Sequence, residues 1–189
     1  MERETRHSGG MVDVLVTDHR EVEKAFADYE RGGLSDEQRR ELVDHIITEL
    51  VRHSVAEEQY LYPAAREALP NGDEVADKEL AEHAEAEEVM KRLESMDVSD
   101  AGFDDLVGQL IRAIRQHVEE EERDLFPRLE QACNADELMD LGKKIQATKK
   151  SAPTRPHPSM PDRPPANMIL DPGIGMVDRM RDALSGRNR

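Results

Sequence analysis

The chain has 189 residues, 37% hydrophobic and 36% charged, with 3% aromatics, no Trp and a net charge of −16. That length suits one domain with an appendage, and the shortage of aromatic and β-branched runs argues against a sheet. The acidic excess sits in the first 150 residues, 38 acidic against 20 basic side chains, which repels phosphate backbones and argues against nucleic acid as a partner.

In chain order, a first helix is predicted over 10–31, with Val12, Leu15, His19, Val22 and Phe26 on one stripe at 3.6 periodicity. Gly32-Gly33 ends it, and Ser35 with Gln38 reads as a capping box for the next. That second helix is predicted over 36–69, its inner face carrying Leu42, Ile46, Leu50, His53, Glu57 and Tyr60. Pro63 lies inside the pattern and should kink it. A third helix follows over 74–96, with Ala76, Leu80, His83, Glu87 and Met90 inward. A fourth covers 101–132, started by Ser99 or Asp100, with Phe103, Leu110, Ile114, His117, Glu121 and Leu125 inward. Pro127 is the counterpart of Pro63. A shorter amphipathic segment occupies 135–149. Seven prolines then mark 151–173 as an extended linker or wrap, and 174–185 reads as a short helix ended by Gly186.

The prediction is therefore an all-α, up-down-up-down four-helix bundle over 1–150, with an extra short helix, and a Pro-rich tail over 151–189. No apolar run approaches the ~20 residues needed to cross a bilayer, so no membrane is expected. The N-terminus lacks the apolar stretch of a secretory signal, and Cys133 is the sole cysteine, so a cytoplasmic setting is expected.

One pattern organises the chain. His-x-x-x-Glu occurs at His19/Glu23, His53/Glu57, His83/Glu87 and His117/Glu121, and an offset of 64 residues relates the first pair of units to the second. On a helix, residues four apart share a face. Counting rises of ~1.5 Å per residue from the turns brings all four His to nearly one level. Four buried imidazoles and their carboxylates are costly unless cations satisfy them. Imidazole with carboxylate suits iron, manganese or zinc, and this many donors in one layer suits two metals bridged by carboxylates. The ferritin-like Glu-x-x-His order fails, because Val16, Leu50, Leu80 and Ile114 stand three residues before the four His. Tyr60, seven residues after His53, shares its face; Glu58 and Glu122 point about 140° away from their His and read as solvated.

Asp18-His19, His53-x-x-x-Glu57-Glu58 with Leu61-Tyr62-Pro63, His83, and His117-x-x-x-Glu121 with Leu125-Phe126-Pro127 resemble the hemerythrin-like proteins with the HHE cation-binding domain. The resemblance covers about residues 10–133. It implies a four-helix bundle around a non-haem centre of two iron ions, oxo- or hydroxo-bridged, with manganese or zinc as alternatives. It also implies His19, His53, His83 and His117 as terminal ligands and Glu57 and Glu121 as bridges. Glu87 stands where oxygen carriers of the family have a His. As a ligand it would favour the ferric pair and reaction with peroxide, O₂ or NO over reversible oxygen carriage. Glu23 and Tyr60 are further candidates near the metals. A catalase-like or peroxidase-like enzyme is one expectation; a redox, oxygen or iron sensor without turnover is the alternative, ahead of iron storage.

Overall fold

The computed structural model describes residues 9–160 and 166–185. His7, Pro161, Pro164, Pro165 and Gly186, and the side chain of Leu184, lie outside that description. Helix α1 (Met11–Arg31) stops at Gly32 and Gly33, whose φ of 71° and 81° only glycine adopts cheaply. Ser35 caps α2 (Asp36–Ala56). Its hydroxyl accepts from Gln38 N at 3.2 Å, while Gln38 Oε1 accepts from Ser35 N at 2.9 Å.

The second rod is not α-helical throughout. A π turn, Glu57–Leu61, separates α2 from α3 (Tyr62–Ala68), and Tyr62 N–H bonds back to Glu57 O, five residues away. The fourth rod repeats this: α5 (Phe103–Glu120), a π turn at Glu121–Leu125, then α6 (Phe126–Ala132). Each π turn ends two residues before a proline. Pro63 and Pro127 offer no N–H, and their rings crowd the carbonyl four residues back, so a wider turn relieves both problems. The kink expected beyond the proposed site is this widened turn. Between the two bent rods lies α4 (Gly72–Ser95). The fourth rod starts at Phe103 behind Gly102 (φ 90°), because Asp97 and Asp100 cap a tight turn of their own. Among the described residues there is no strand, and no helix is long and apolar enough to cross a membrane.

Two apolar clusters fill the bundle. One holds Val22, Phe26, Ile46, Leu50, Met90, Phe103, Leu110 and Ile114; the other holds Leu15, Leu61, Tyr62, Leu80, Leu125, Phe126 and Leu129. In all four rods the His lies in sequence between a residue of one cluster and a residue of the other, so the imidazoles form a layer with an apolar cap on each side. A fifth helix, α7 (Ala135–Ser151), lies across α1 and α2. It buries Ile145, and Gly142 comes so close to the start of α1 that a Cβ there would sit 2.4 Å from Gly9 O.

The tail lies along the bundle. Residues 152–160 run along α2 and α4, with Thr48 donating to Thr154 O (3.3 Å) and Arg155 paired with Glu94 (3.2 Å). The terminal helix α8 spans Ala166–Ser185, eight residues earlier than predicted, and takes Pro172 into its body. Its later turns dock on residues 151–155. Asp178 Oδ2 accepts from Thr154 N and Arg155 N (both 3.2 Å), Asp182 pairs with Arg155 (2.7 Å), and a Cβ on Gly175 would meet Ser151 O at 2.2 Å. Among the described residues, Gly175, Asp178 and Asp182 meet the tail and Ile174 lines the cavity beneath it, while Met176, Val177 and Met180 are exposed.

Candidate metal centre

The four imidazoles point inward, each 4–6% exposed. They pair across helices. His19 Nε2 stands 3.2 Å from His53 Nε2, and His83 Nε2 stands 3.3 Å from His117 Nε2. Glu57 and Glu121, both with no exposed surface, each reach both pairs. Glu57 Oε1 is 3.0 Å from His53 Nε2 and its Oε2 3.4 Å from His83 Nε2. Glu121 Oε2 is 3.5 Å from His19 Nε2 and its Oε1 3.6 Å from His117 Nε2. The result is two adjacent positions, each facing two imidazoles and two carboxylate oxygens, with both carboxylates spanning the pair.

The outer nitrogens explain why Nε2 faces inward. His19 Nδ1 meets Glu122 at 2.9 Å, His53 Nδ1 meets Asp18 at 3.4 Å, His83 Nδ1 meets Glu58 at 3.0 Å and His117 Nδ1 meets Glu82 at 3.0 Å. The same 64-residue offset relates Asp18 to Glu82 and Glu58 to Glu122. A carboxylate on Nδ1 selects the tautomer with the proton there and leaves a bare Nε2 lone pair, the usual support for a metal-binding imidazole. Glu58 and Glu122 point away from the His of their own rod because each serves the His of a neighbouring one. A single-helix projection cannot show that.

Two facing lone pairs at about 3 Å repel unless something positive lies between them. Protons are one solution. Burial opposes charge on His53, yet Glu57 and Asp18 raise its pKa to about 10; burial likewise opposes charge on His83, and Glu57 and Glu58 raise it to about 9. Burial disfavours the Glu57 carboxylate too, but His53 and His83 hold it well below the usual range. Divalent cations are the other solution. Glu57 Oε1 and Glu121 Oε2 are buried without a hydrogen-bond partner, as expected of atoms whose partner is a metal. Imidazole nitrogen with carboxylate oxygen is the donor set of iron, manganese and zinc, so the residues fit such a pair.

Other predicted site residues lie elsewhere. Glu87 is turned toward the tail, where its Oε1 accepts from His157 N at 3.3 Å, and burial pushes its carboxyl upward. It joins none of the three His/Glu groups among the described residues. Its spacing of four from His83 equals that of Glu57 from His53, but on α4 this position faces the tail and not the His/Glu layer. Glu23 is held by Arg115 of α5 through both oxygens (2.9 and 2.7 Å) and joins none of these groups. Tyr60 rests 3.5 Å from the Thr148 hydroxyl on α7.

The site's tyrosine is Tyr62 instead. Its hydroxyl lies 2.9 Å from His83 Nε2, 3.3 Å from Glu121 Oε1 and 3.5 Å from Glu57 Oε2. An unbroken α-helix would put Tyr62 opposite His53; the extra residue of the π turn retards the phase by about 100° and brings it round. Burial and the surrounding carboxylates hold its phenol well above the ordinary range, so it keeps its proton. The counterpart in the fourth rod is Phe126, stacked on His19 at 5.7 Å between centroids.

A family model described as the hemerythrin HHE cation binding domain matches residues 10–129. The chain belongs to that family. As a hemerythrin-like HHE domain it carries a His/Glu layer able to hold metal cations. It is 29% identical over 173 residues to an uncharacterised hemerythrin-like protein of Schizosaccharomyces pombe, covering 91% of this chain and 85% of that one. A crystal structure of a hemerythrin HHE cation-binding domain-containing protein from Mycobacterium kansasii superposes with a TM-score of 0.65 at 25% identity, over 75% of this chain and 85% of the other. A DNA nickase of Nostoc is 27% identical over 146 residues, 76% of this chain but 40% of the nickase.

Proposed function

We propose that this HHE domain holds two iron ions and uses them on a small oxidant, hydrogen peroxide foremost, with O₂ and NO as the related class. The observation that carries this reading is the Tyr62 hydroxyl, a protonated phenol within 3.5 Å of His83 and of both bridging carboxylates. The irons would supply redox equivalents and a Lewis-acidic place for the oxidant. His19 and His53 would hold one iron and His83 and His117 the other, with Glu57 and Glu121 spanning them. Asp18, Glu58, Glu82 and Glu122 keep each imidazole in one tautomer and one orientation. Tyr62 holds a proton at the inner layer, where cleavage of an O–O bond needs one. Phe126 and the apolar clusters keep bulk water away.

Tail docking supports a second reading, a sensor. Glu58, which bonds His83, also lines the small cavity beneath residues 153–160, so metal state and tail position share a residue. We do not carry the nickase activity over, since 38 acidic side chains in the first 150 residues disfavour a DNA backbone. A cytoplasmic location remains part of the proposal.

Metal analysis, an optical spectrum and peroxide turnover on protein purified from its own host test both. Two irons per chain with rapid peroxide loss support the enzyme. Two irons with no turnover, but metal-dependent protection of the tail from proteolysis, support the sensor. Zinc alone, or no metal, overturns both.

A further inference from the structure

Glu79 has no partner in the internal repeat: the 64-residue offset puts Leu15 at its place. A carboxylate there is costly, with its side chain 5% exposed, and the fold does not require it, since a leucine serves the other half. Its two oxygens face opposite ways. Oε2 stands 3.0 Å from His117 Nδ1 yet makes no hydrogen bond, because Glu82 accepts that N–H. Oε1 stands 3.5 Å from Lys78 Nζ. The same ammonium is 2.8 Å from Glu82 Oε1 and in contact with Glu120. Three carboxylates therefore converge on one cation at the wall of a surface crevice of about 530 Å³ between α4 and the fourth rod.

We propose that this crevice is the entry port for the metal ions of the buried centre. Glu79, Glu82 and Glu120 form a transient divalent-cation site, in which the Lys78 ammonium keeps the place between arrivals. The inference rests on the two-metal reading above. The ends of the layer are closed by apolar clusters, so an ion must enter from the side, past the carboxylates on the Nδ1 atoms. Asp18 is held by Lys149, which is 17% exposed, and Glu122 by Arg20, which is 60% exposed; among the described residues neither cation gathers three carboxylates as Lys78 does. Lys78 is 48% exposed, so it can swing into solvent and leave a three-carboxylate cage, and the buried Oε2 of Glu79 lies on the inner side of that cage, beside His117. Carboxylate oxygens suit a partly hydrated incoming dication, and the imidazoles beyond them bind it more tightly.

The test uses metal-free full-length protein and Co²⁺, whose visible bands report imidazole and carboxylate ligation. Stopped-flow absorbance gives the loading rate and titration gives the endpoint. Glu79→Gln is expected to load about tenfold more slowly with an unchanged endpoint, the usual scale for losing a focusing charge. Lys78→Met is expected to load faster, and Glu21→Gln, remote from the crevice, at the wild-type rate. Wild-type kinetics in Glu79→Gln overturn the port. So does a reduced endpoint, which would make Glu79 a ligand of the resident centre. Should Glu79→Gln misfold by circular dichroism, Lys78→Met decides alone, and no acceleration overturns the proposal. Wild-type protein that binds no Co²⁺ at all sinks the two-metal reading instead.

Discussion

The two halves of the bundle agree in their imidazoles, bridging carboxylates, Nδ1 supports and π turns, and they differ in what surrounds them. The His19/His53 position is walled by Phe126 stacked on His19, and Leu15 fills the neighbouring site. At the equivalent places the His83/His117 position has the Tyr62 hydroxyl and the Glu79 carboxylate. Even the cations differ: Asp18 is held by Lys149 of the added helix α7, whereas Glu82 is held by Lys78 of its own helix. A duplicated scaffold has kept its ligands and divided its labour. On the reading proposed above, one position is lined by a phenyl ring, and the other carries the phenol proton and the extra carboxylate.

The largest effect tests where the halves agree. His53→Ala and His117→Ala should each remove a ligand of equal weight, so both should abolish peroxide turnover and leave at most one metal, by metal analysis. Next comes the sharpest difference. Tyr62→Phe should keep the metals and lower peroxide turnover about 100-fold, the scale of a lost proton donor. Phe126→Tyr should leave turnover near wild type; equal losses in the two variants would erase the division of labour. Glu58→Gln and Glu122→Gln should each weaken metal binding about 10- to 100-fold, as expected for supports of ligating imidazoles. Competition with a chelator measures this.

The metal-free protein should respond to pH in a defined direction. His53 and His83 are raised to about 10 and about 9 from 6.5. Their stabilisation is complete below about pH 6.5, the unfolded value, and is lost as pH rises through 9 to 10. Its melting temperature should fall by roughly 5 °C or more over that interval, and metal loading at pH 7 should release protons. The smallest effect is expected of Glu87→Gln, which should leave metal content unchanged and loosen only the tail, seen as faster proteolysis near residue 157.

Much of this was legible in the sequence because it was periodic. The 3.6-residue stripe placed His19, His53, His83 and His117 on inner faces, and the repeat offset showed that they belong to one layer. Glu57 and Glu121 followed from the spacing of four. What stayed hidden depends on neighbours in space. Asp18, Glu58, Glu82 and Glu122 act across helices, so no single-helix projection reveals them, although their shared offset was a signal. Tyr62 was missed in favour of Tyr60 because the projection assumed an unbroken α-helix; the repeated aromatic-Pro pair was the clue to the wider turn. Glu87 misled because a spacing of four says nothing about which neighbour a helix face meets, and on α4 that neighbour is the tail. The tail helix starts at Ala166 and takes in Pro172, which the run of prolines before it argued against.

The widened turns also make the rods adjustable. Each stores one surplus residue directly after a bridging glutamate. Deleting Gln59 would restore ordinary winding and swing all later side chains by about 100°, exchanging the group that looks onto the metals while His53 and Glu57 stay in place. A one-residue change in chain length is therefore a dial on which side chain follows Glu57 onto the His/Glu layer.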